Sequence, residues 1–251
     1  MKQLSTEEQI IYNEGERLIP GVTHNQEEVN RHVSSYDFFK RVIEFDLASH
    51  AVPGPIQILD IGFGVGHGCS HLATIPNSQV TGIDISNDCK VYAEKNYNAP
   101  NITYVCKDTV EYVRSMTPVH YVVSRGVLEH VPDGLEVAIK SKWTERLMID
   151  VPYDEAAENN QHHILTGITE KDFEDFIGAE LFYEDLRGAI YNKATLPSAV
   201  RPNMIMCACR STQLTPVDEI FSFPLAPVGI VSDHQKSIIS TARQWLRSLV
   251  R

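Results

Sequence analysis

The chain has 251 residues, of which 43 % are hydrophobic and 22 % charged, so it can bury a core, and disorder is excluded as its main state. Acidic side chains outnumber basic ones by 33 to 22, and the formal net charge of −11 argues against a protein that wraps a nucleic-acid backbone. Five cysteines without paired zinc-ligand spacing, a polar N-terminus and no apolar run of about 20 residues predict a reduced, cytoplasmic protein with neither signal peptide nor membrane span.

Residues 1–50 are predicted to be a largely helical flank, divided by the helix-breaking pair Pro20-Gly21. From residue 51 to 212, short apolar runs rich in Val and Ile alternate with segments long enough for crossover helices. The predicted strands are 56–61, 79–84, 102–106, 119–124 and 146–151, and two of the predicted helices are 87–96 and 135–141. This alternation is typical of a doubly wound α/β fold, with a mostly parallel sheet and helices on both faces.

The segment 153–200 follows the fifth strand as an insertion, with a predicted helix at 168–176 whose N-cap is Thr169. Runs at 183–191 and 203–210 predict the final, antiparallel strands. Cys207 and Cys209 alternate onto one face of the last strand, so we expect both thiols to be buried packing groups. Residues 213–251 read as a Pro-rich segment and an amphipathic helix at 232–249, which either packs on its own chain or forms a subunit contact, as in a homodimer.

A glycine cluster follows the first predicted strand, in the run Asp60-Ile-Gly62-Phe63-Gly64-Val-Gly66. Closely spaced glycines let the chain turn sharply and let a ligand approach bare backbone. In the dinucleotide fingerprint the third glycine stands three residues after the second, whereas here the three glycines alternate. The spacing therefore counts against a nicotinamide oxidoreductase.

The glycine pattern, with an acid closing each of the next two strands and the run 124–133 after the fourth, resembles the motifs of class I S-adenosylmethionine-dependent methyltransferases. The resemblance covers about residues 56–150 and implies a seven-stranded methyltransferase fold. It also implies that Asp84 accepts hydrogen bonds from the ribose hydroxyls and that Asp108 lies against the adenine amino group. For either acid taken singly, a helix cap or turn residue is the alternative. The residues that this resemblance assigns to S-adenosylmethionine are Asp60, Gly62, Phe63, Gly64, Gly66, Asp84, Ile85, Asp108, Thr109 and Arg125.

The predicted catalytic residues are Glu129 and His130, which follow the fourth strand where the transferred methyl would lie. A general-base role for His130 is one interpretation, and a structural or pocket-lining role is the other. The residues Glu129, His130, His162 and His163 also resemble a motif of certain metal-assisted O-methyltransferases, including those of the ubiquinone pathway and those that methylate the ribose of small RNAs. These enzymes hold a divalent ion with a Glu-x-x-Glu-His motif and a later His. In this chain Gly126 stands at the position of the first Glu of that motif, so the sequence does not assign a metal. In the metal-assisted alternative, the ligands of the ion would come from Glu129, His130, His162 and His163.

The N-terminal flank, with Gly15 to Gly21, Arg31-His32 and Tyr36, looks like the leader of bacterial methyltransferases associated with surface-polysaccharide pathways. This likeness implies a lid over the donor and a small-molecule acceptor such as a sugar hydroxyl or a surface-glycan precursor, for which 153–200 would provide specificity. The flank residues available to reach ligands are Tyr12, Arg17, His24, Arg31, His32 and Tyr36, or the flank merely covers the sheet. Arg17, Arg31 and Arg125 are candidate contacts for an anionic acceptor.

The sequence therefore predicts an S-adenosylmethionine-dependent O-methyltransferase acting on a small molecule. Two alternatives stay open. One is a methyltransferase-like binding subunit without catalysis, and the other is a metal-assisted enzyme for another small acceptor, such as a phosphate-like group. Fold alone does not name the acceptor.

Overall fold

The computed structural model describes residues 4–14, 17–19 and 26–228. The helices are α1 (Thr6–Asn13), α2 (Gln26–Ser49), α3 (His67–Leu72), α4 (Asn87–Asn96), α5 (Thr109–Ser115), α6 (Gly134–Ile139) and α7 (Val217–Ile220). The strands are β1 (Ile56–Ile61), β2 (Ser78–Asp84), β3 (Ile102–Cys106), β4 (Val119–Arg125), β5 (Trp143–Pro152), β6 (Glu180–Glu184), β7 (Ile190–Asn192) and β8 (Met204–Arg210). Single 3-10 turns lie at Leu128–His130 and Glu170–Phe173. The predicted break at Pro20-Gly21 and the predicted helix at 232–249 lie outside the described residues.

One mixed sheet carries the fold, with the strand order β3-β2-β1-β4-β5-β8-β6-β7. Strands β1 to β5 pair in parallel, β8 pairs antiparallel with both β5 and β6, and β6 pairs antiparallel with β7. The doubly wound α/β prediction is confirmed. Because the chain winds outward from β1 in one direction and from β4 in the other, a crevice opens between the carboxyl ends of these two strands.

Successive apolar side chains along each central strand face opposite sides of the sheet, as Ile58 and Leu59 of β1 do. One side packs against α2 and α3, with Phe38 and Phe39 fully buried. The other side packs against α5, α6 and the 3-10 turn at Glu170–Phe173. Both faces of the sheet are therefore covered, which explains why β1, β4 and β5 read as continuous apolar runs.

Beyond β5, the predicted antiparallel strand at 203–210 is confirmed as β8, and the strand prediction was wrong only for the run 183–191. The sheet has eight strands rather than seven, because the predicted strand at 183–191 is a hairpin of β6 and β7. Its turn is closed by Asp185, whose carboxylate accepts hydrogen bonds from the N–H groups of Arg187 and Ala189 at 2.8 and 3.0 Å. The predicted helix at 168–176 is only the 3-10 turn Glu170–Phe173.

The expected burial of Cys207 and Cys209 is confirmed. Both are free thiols on the same face of β8, and their sulfur atoms lie 3.9 Å apart. In the part of the chain that the structure describes, no helix has both the length and the apolar character to cross a membrane.

Candidate active site

A cavity of about 410 Å³ opens at the carboxyl ends of β1, β2 and β4, and we call it the first cavity. It occupies the crevice at which the strand order reverses, the position where open α/β sheets bind ligands. Eight of the ten residues predicted to bind the cofactor line it: Gly62, Phe63, Gly64, Asp84, Ile85, Asp108, Thr109 and Arg125. Their assignment to the cofactor stays a prediction, but the fold brings them to one place.

The loop after β1 follows a path that its glycines permit. Gly62 has a φ of +77°, and a Cβ atom built on it would overlap the side chain of Val127. Gly66 has a φ of +91° and directly precedes α3, and its own Cβ would come within 2.7 Å of Ala93 Cβ. A side chain at either position would therefore push the loop away from the sheet, so these glycines shape the wall of the first cavity.

Asp84 ends β2 and orients its carboxylate by backbone hydrogen bonds. Its Oδ2 accepts from the N–H of Gly64 and its Oδ1 from the N–H of Ser86, each at 2.9 Å. The guanidinium of Arg17 lies 3.6 Å from Oδ1. The Asp84 side chain is 8 % exposed, so a narrow edge of an oriented acid faces the cavity.

The far wall of the first cavity combines an apolar surface with a polar edge. Ile85 is 68 % exposed although it is apolar, and it lies next to the acid of β2. Asp108 caps α5, since its Oδ1 accepts a hydrogen bond from the N–H of Glu111 at 2.9 Å. Asp108 is thus a helix cap, as the alternative interpretation of this acid expected, and it also lines the first cavity. An exposed aliphatic side chain beside a carboxylate suits a flat aromatic ring that carries an amino group.

A second cavity, of about 530 Å³, adjoins the first on the side of β5 and β8. The two cavities share four lining residues: His32, Arg125, Gly126 and His130. Other walls of the second cavity come from the start of α2 and from the loop after β5, which contributes Glu155, Asn160 and His163. Ligands bound in the two cavities would therefore meet beside the end of β4.

Arg125 separates the two cavities and is held by buried acids. Its guanidinium lies 3.8 Å from carboxylate oxygens of Asp150 and Glu184, and its Nη1 lies 2.9 Å from Nε2 of His32. Burial raises the pKa of both Asp150 and Glu184, the latter strongly. Burial, aided by the neighbouring guanidinium of Arg125, holds the pKa of His32 well below its ordinary value. The His32 ring is therefore neutral, and Arg125 supplies the positive charge of this wall.

Glu129 and His130 lie in the 3-10 turn Leu128–His130, and the structure brings His163 to them. One ligand-type atom from each of these three residues lies within 4.8 Å of the other two. Glu129 is 2 % exposed, and its Oε2 has no hydrogen-bond partner among the described residues. Burial raises the pKa of this carboxyl to about 8. The rings of His130 and His163 meet edge to face, with centroids 4.7 Å apart.

The comparisons with known proteins agree with this geometry. Residues 58–144, about a third of the chain, match the sequence model of a family described as "Methyltransferase domain". Residues 58–144 therefore form a methyltransferase domain. The chain matches no curated protein.

Two solved structures share the fold of this methyltransferase domain. One is the plantazolicin methyltransferase BpumL, solved in complex with SAH; it is 13 % identical, with 82 % of this chain and 90 % of that chain covered, at a TM-score of 0.54. The other is the N-methyltransferase NodS from Bradyrhizobium japonicum WM9, also in complex with SAH; it is 16 % identical, with 83 % of this chain and 100 % of that chain covered, at a TM-score of 0.54. At such identities the likeness concerns the fold of the methyltransferase domain.

Two residues predicted to bind the cofactor, Asp60 and Gly66, do not line the first cavity. Asp60 is fully buried beneath the glycine loop, where its carboxylate accepts hydrogen bonds from the Tyr36 hydroxyl at 3.1 Å and from the Cys69 thiol at 3.2 Å. Burial raises the pKa of Asp60 to about 7. The carbonyl of Gly66 accepts from the Tyr104 hydroxyl at 3.3 Å. Both residues support the loop from behind, and their direct contact with the cofactor stays a prediction.

The predicted lid residues of the methyltransferase domain are distributed among several places. Arg17, His32 and Tyr36 line the first cavity, and Arg31 lines the second. Tyr12 belongs to neither set and is 43 % exposed. His24 lies outside the described residues. The flank is therefore part of the cavity wall as well as a cover for the sheet.

The two adjacent histidines after β5 lie in different cavities. His162 lines the first cavity, while His163 lines the second and pairs with Glu155 through Nδ1. Sequence reasoning did not find Glu155, Asp150 or Glu184. A signal was present for Asp150, because an acid inside the apolar run of β5 is expensive to bury unless it is paired or neutral.

Proposed function

We propose that this methyltransferase domain transfers the methyl group of S-adenosylmethionine to a hydroxyl oxygen of a small polar molecule, such as a sugar or a surface-glycan precursor. One observation carries the proposal: a second, polar cavity adjoins the first and shares His32, Arg125, Gly126 and His130 with it. A donor in the first cavity would present its methyl group at this shared wall, and an acceptor in the second would present its oxygen there.

The first cavity supports the orientation of the donor. Asp84 offers an oriented carboxylate to a ribose diol, and Ile85 with Asp108 offers a surface and an edge for adenine. These two acids also lie around a donor whose sulfonium is a cation, so they favour it electrostatically. Held in this way, the donor would have its sulfonium beside the end of β4, where Gly126 and Val127 form the wall.

The chemistry of the second cavity supports a hydroxylated acceptor. Its lining includes three asparagines, Asn159, Asn160 and Asn203, together with acidic, basic and imidazole groups. Amides and carboxylates at such density suit a molecule with many hydroxyl groups, because each buried polar atom needs a partner. Arg31 and Arg201 lie in the same lining and suit an acceptor that also carries an anionic group.

The reaction is an in-line displacement at the methyl carbon. The acceptor oxygen forms a bond to carbon while the carbon–sulfur bond breaks, and the electron pair stays on sulfur as a neutral thioether. The hydroxyl proton must leave, and Glu129 and His130 are the groups proposed to draw it away. The raised pKa of Glu129 matches a group that accepts a proton near neutral pH. Alignment of donor and acceptor supplies much of the remaining acceleration.

The test has two parts. Calorimetry with S-adenosylmethionine and with its demethylated product measures donor binding, and we expect one site per chain. Incubation with methyl-labelled donor and matched pairs of sugars, one with a hydroxyl and one with an amine at the same position, then measures transfer. Label on the hydroxyl member supports the proposal. Label on the amine member alone contradicts O-methylation, and donor binding without transfer to any acceptor favours the non-catalytic alternative.

A further inference from the structure

Two arginines line the second cavity but not the first, and each is held in place by a backbone carbonyl. Nη1 of Arg31, on α2, donates to the carbonyl of Leu186 at 2.9 Å, and Nη2 of Arg201 donates to the carbonyl of Asp154 at 3.1 Å. Among the described residues, no carboxylate forms an ion pair with either guanidinium. A carbonyl fixes the position of a guanidinium without neutralising it, so the charge of both arginines stays available to a ligand.

The position of Arg31 disfavours its own positive charge. Burial lowers the pKa of this guanidinium, and the neighbouring guanidinium of Arg125 lowers it further. The acids Glu184 and Glu28 act in the opposite direction, and they offset only part of the effect. An anionic ligand beside Arg31 would therefore relieve the repulsion between two like charges and replace the water that burial has removed.

His32 adds a neutral hydrogen-bond donor to the wall that the two cavities share. A guanidinium only donates, so Nε2 of His32 accepts the bond of 2.9 Å from Nη1 of Arg125. The ring is neutral because burial holds its pKa well below the ordinary value, and its one hydrogen is then on Nδ1. Among the described residues, this Nδ1 has no hydrogen-bond partner. With Arg31 beside it in the sequence, this part of the cavity suits oxygen atoms that only accept hydrogen bonds.

We propose that the second cavity binds an acceptor that carries a phosphate or a carboxylate group, and that Arg31 and Arg201 bind this group. The inference rests on the proposed function and narrows its acceptor from a polar molecule to an anionic one. Glu129 and His130 keep the task of drawing away the hydroxyl proton. A chain with a formal net charge of −11 repels anions as a whole, so two guanidiniums in one cavity provide the local attraction that favours such an acceptor over its uncharged analogue.

Inorganic phosphate and acetate are the probes for this site, because neither requires the rest of the acceptor to fit. The full chain is saturated with the demethylated donor, which the proposed function places in the first cavity. Line broadening of the probe is then followed by ³¹P or ¹H nuclear magnetic resonance. We expect saturable binding, and a preference for one probe identifies the charged group. Arg31→Gln and Arg201→Gln each weaken the binding by at least about 10-fold, since each removes charge-assisted hydrogen bonds.

Arg187→Gln is the matched control, because Arg187 is exposed in the turn between β6 and β7 and lines neither cavity. This variant retains the wild-type affinity for the probe, and Arg31→Lys, which keeps the charge, binds it more tightly than Arg31→Gln does. Circular dichroism verifies that every variant is folded. Absence of saturable binding of both probes overturns the proposal, as does wild-type affinity in either Arg31→Gln or Arg201→Gln, or an equal loss in Arg187→Gln.

Failure of the anion site and failure of the proposed function give different results. Probe binding that depends on both arginines, without methyl transfer to any hydroxyl, contradicts the proposed function and leaves the anion site standing. Methyl transfer to the hydroxyl of an uncharged sugar, by a chain that binds neither probe, overturns the anion site and leaves the proposed function standing. A chain that does not bind the demethylated donor contradicts the proposed function, and the same titrations of the free chain then decide the anion site.

Discussion

The carboxylate of Asp84 accepts a hydrogen bond from the backbone N–H of Gly64 at 2.9 Å, so the acid that ends β2 fixes the glycine loop that follows β1. Two motifs separated by 20 residues thus form one rigid wall of the first cavity. The loop would lose a charged acceptor if this side chain were changed, and under the proposed function the donor would lose a partner at the same time.

The first prediction concerns this acid. Asp84→Ala weakens the affinity for the demethylated donor by about 10- to 100-fold, since hydrogen bonds to a charged group contribute about 1.5–3 kcal/mol. Isothermal titration calorimetry measures the change. Asp88→Asn is the control, because Asp88 is an exposed acid in the first turn of α4 and lines neither cavity. Equal affinity of the Asp84→Ala variant and the wild-type chain would contradict the assignment of this acid.

A second prediction separates backbone strain from steric overlap in the glycine loop. Gly62→Ala and Gly64→Ala both place a side chain at positive φ, which costs about 1–2 kcal/mol of unfolding free energy in each case. Only the first also overlaps Val127, whereas a Cβ at Gly64 meets nothing within 4 Å. We expect Gly62→Ala to be the less stable variant in urea unfolding, and we expect Val127→Ala, added to it, to recover part of the difference.

The third prediction is a dependence of stability on pH. Burial raises the pKa of Glu129 to about 8 from its ordinary 4.5, so the folded state holds this proton more tightly than the unfolded state. The contribution to stability is complete below about pH 4.5 and is lost as pH rises to about 8. In chelator-treated protein, Glu129→Gln flattens the fall of the urea midpoint across this window. Asp60, Asp150 and Glu184 remain, so a smaller fall persists. An unchanged slope would show that Glu129 is ionised in the folded chain.

The fourth prediction concerns Arg125, which neutralises two buried acids. Arg125→Ala leaves Asp150 and Glu184 without their guanidinium, and loss of one partner of a buried ion pair costs about 3–5 kcal/mol. The defect shrinks as pH falls, because both carboxyls are then protonated and need no cation. Thermal unfolding of variant and wild type at about pH 5 and pH 8 measures this difference. A defect of equal size at both pH values would contradict the electrostatic explanation.

The central strands could be predicted because each is a buried apolar run followed by a turn, as Ile56–Ile61 before Gly62 shows. The hairpin of β6 and β7 was missed because the prediction joined the apolar and aromatic residues on either side of the polar segment Asp185 to Gly188, which forms the turn. The segment at 168–176 stayed short of a helix because Phe173 and Phe176, which both face the core, are joined by an i→i+3 bond of 3.0 Å.

The lining of the first cavity could be predicted from the sequence because its residues follow successive parallel strands, whose carboxyl ends share one edge of the sheet. Asp60 was the exception, since period-two alternation alone does not say that Tyr36 and Cys69 enclose its carboxylate. The sequence also could not predict which of His162 and His163 lines which cavity. The placement of these two histidines depends on the backbone hydrogen bonds from the N–H groups of Ile164 and Leu165 to the Glu129 carbonyl, which sequence spacing does not predict.

Strand β5 marks the boundary between the segments that line the first cavity and the further segments that line the second. Apart from His162, the residues after position 60 that line the first cavity lie between β1 and the turn before α6. The second cavity is also lined by residues from 152–160 and 201–204. The antiparallel half is attached to the parallel half through the β5–β8 pairing. Under the proposed function, exchange of the loop after β5, or of the segment that leads into β8, would therefore alter which acceptor binds and leave the first cavity unchanged. These two segments are the places at which a new acceptor specificity could be introduced.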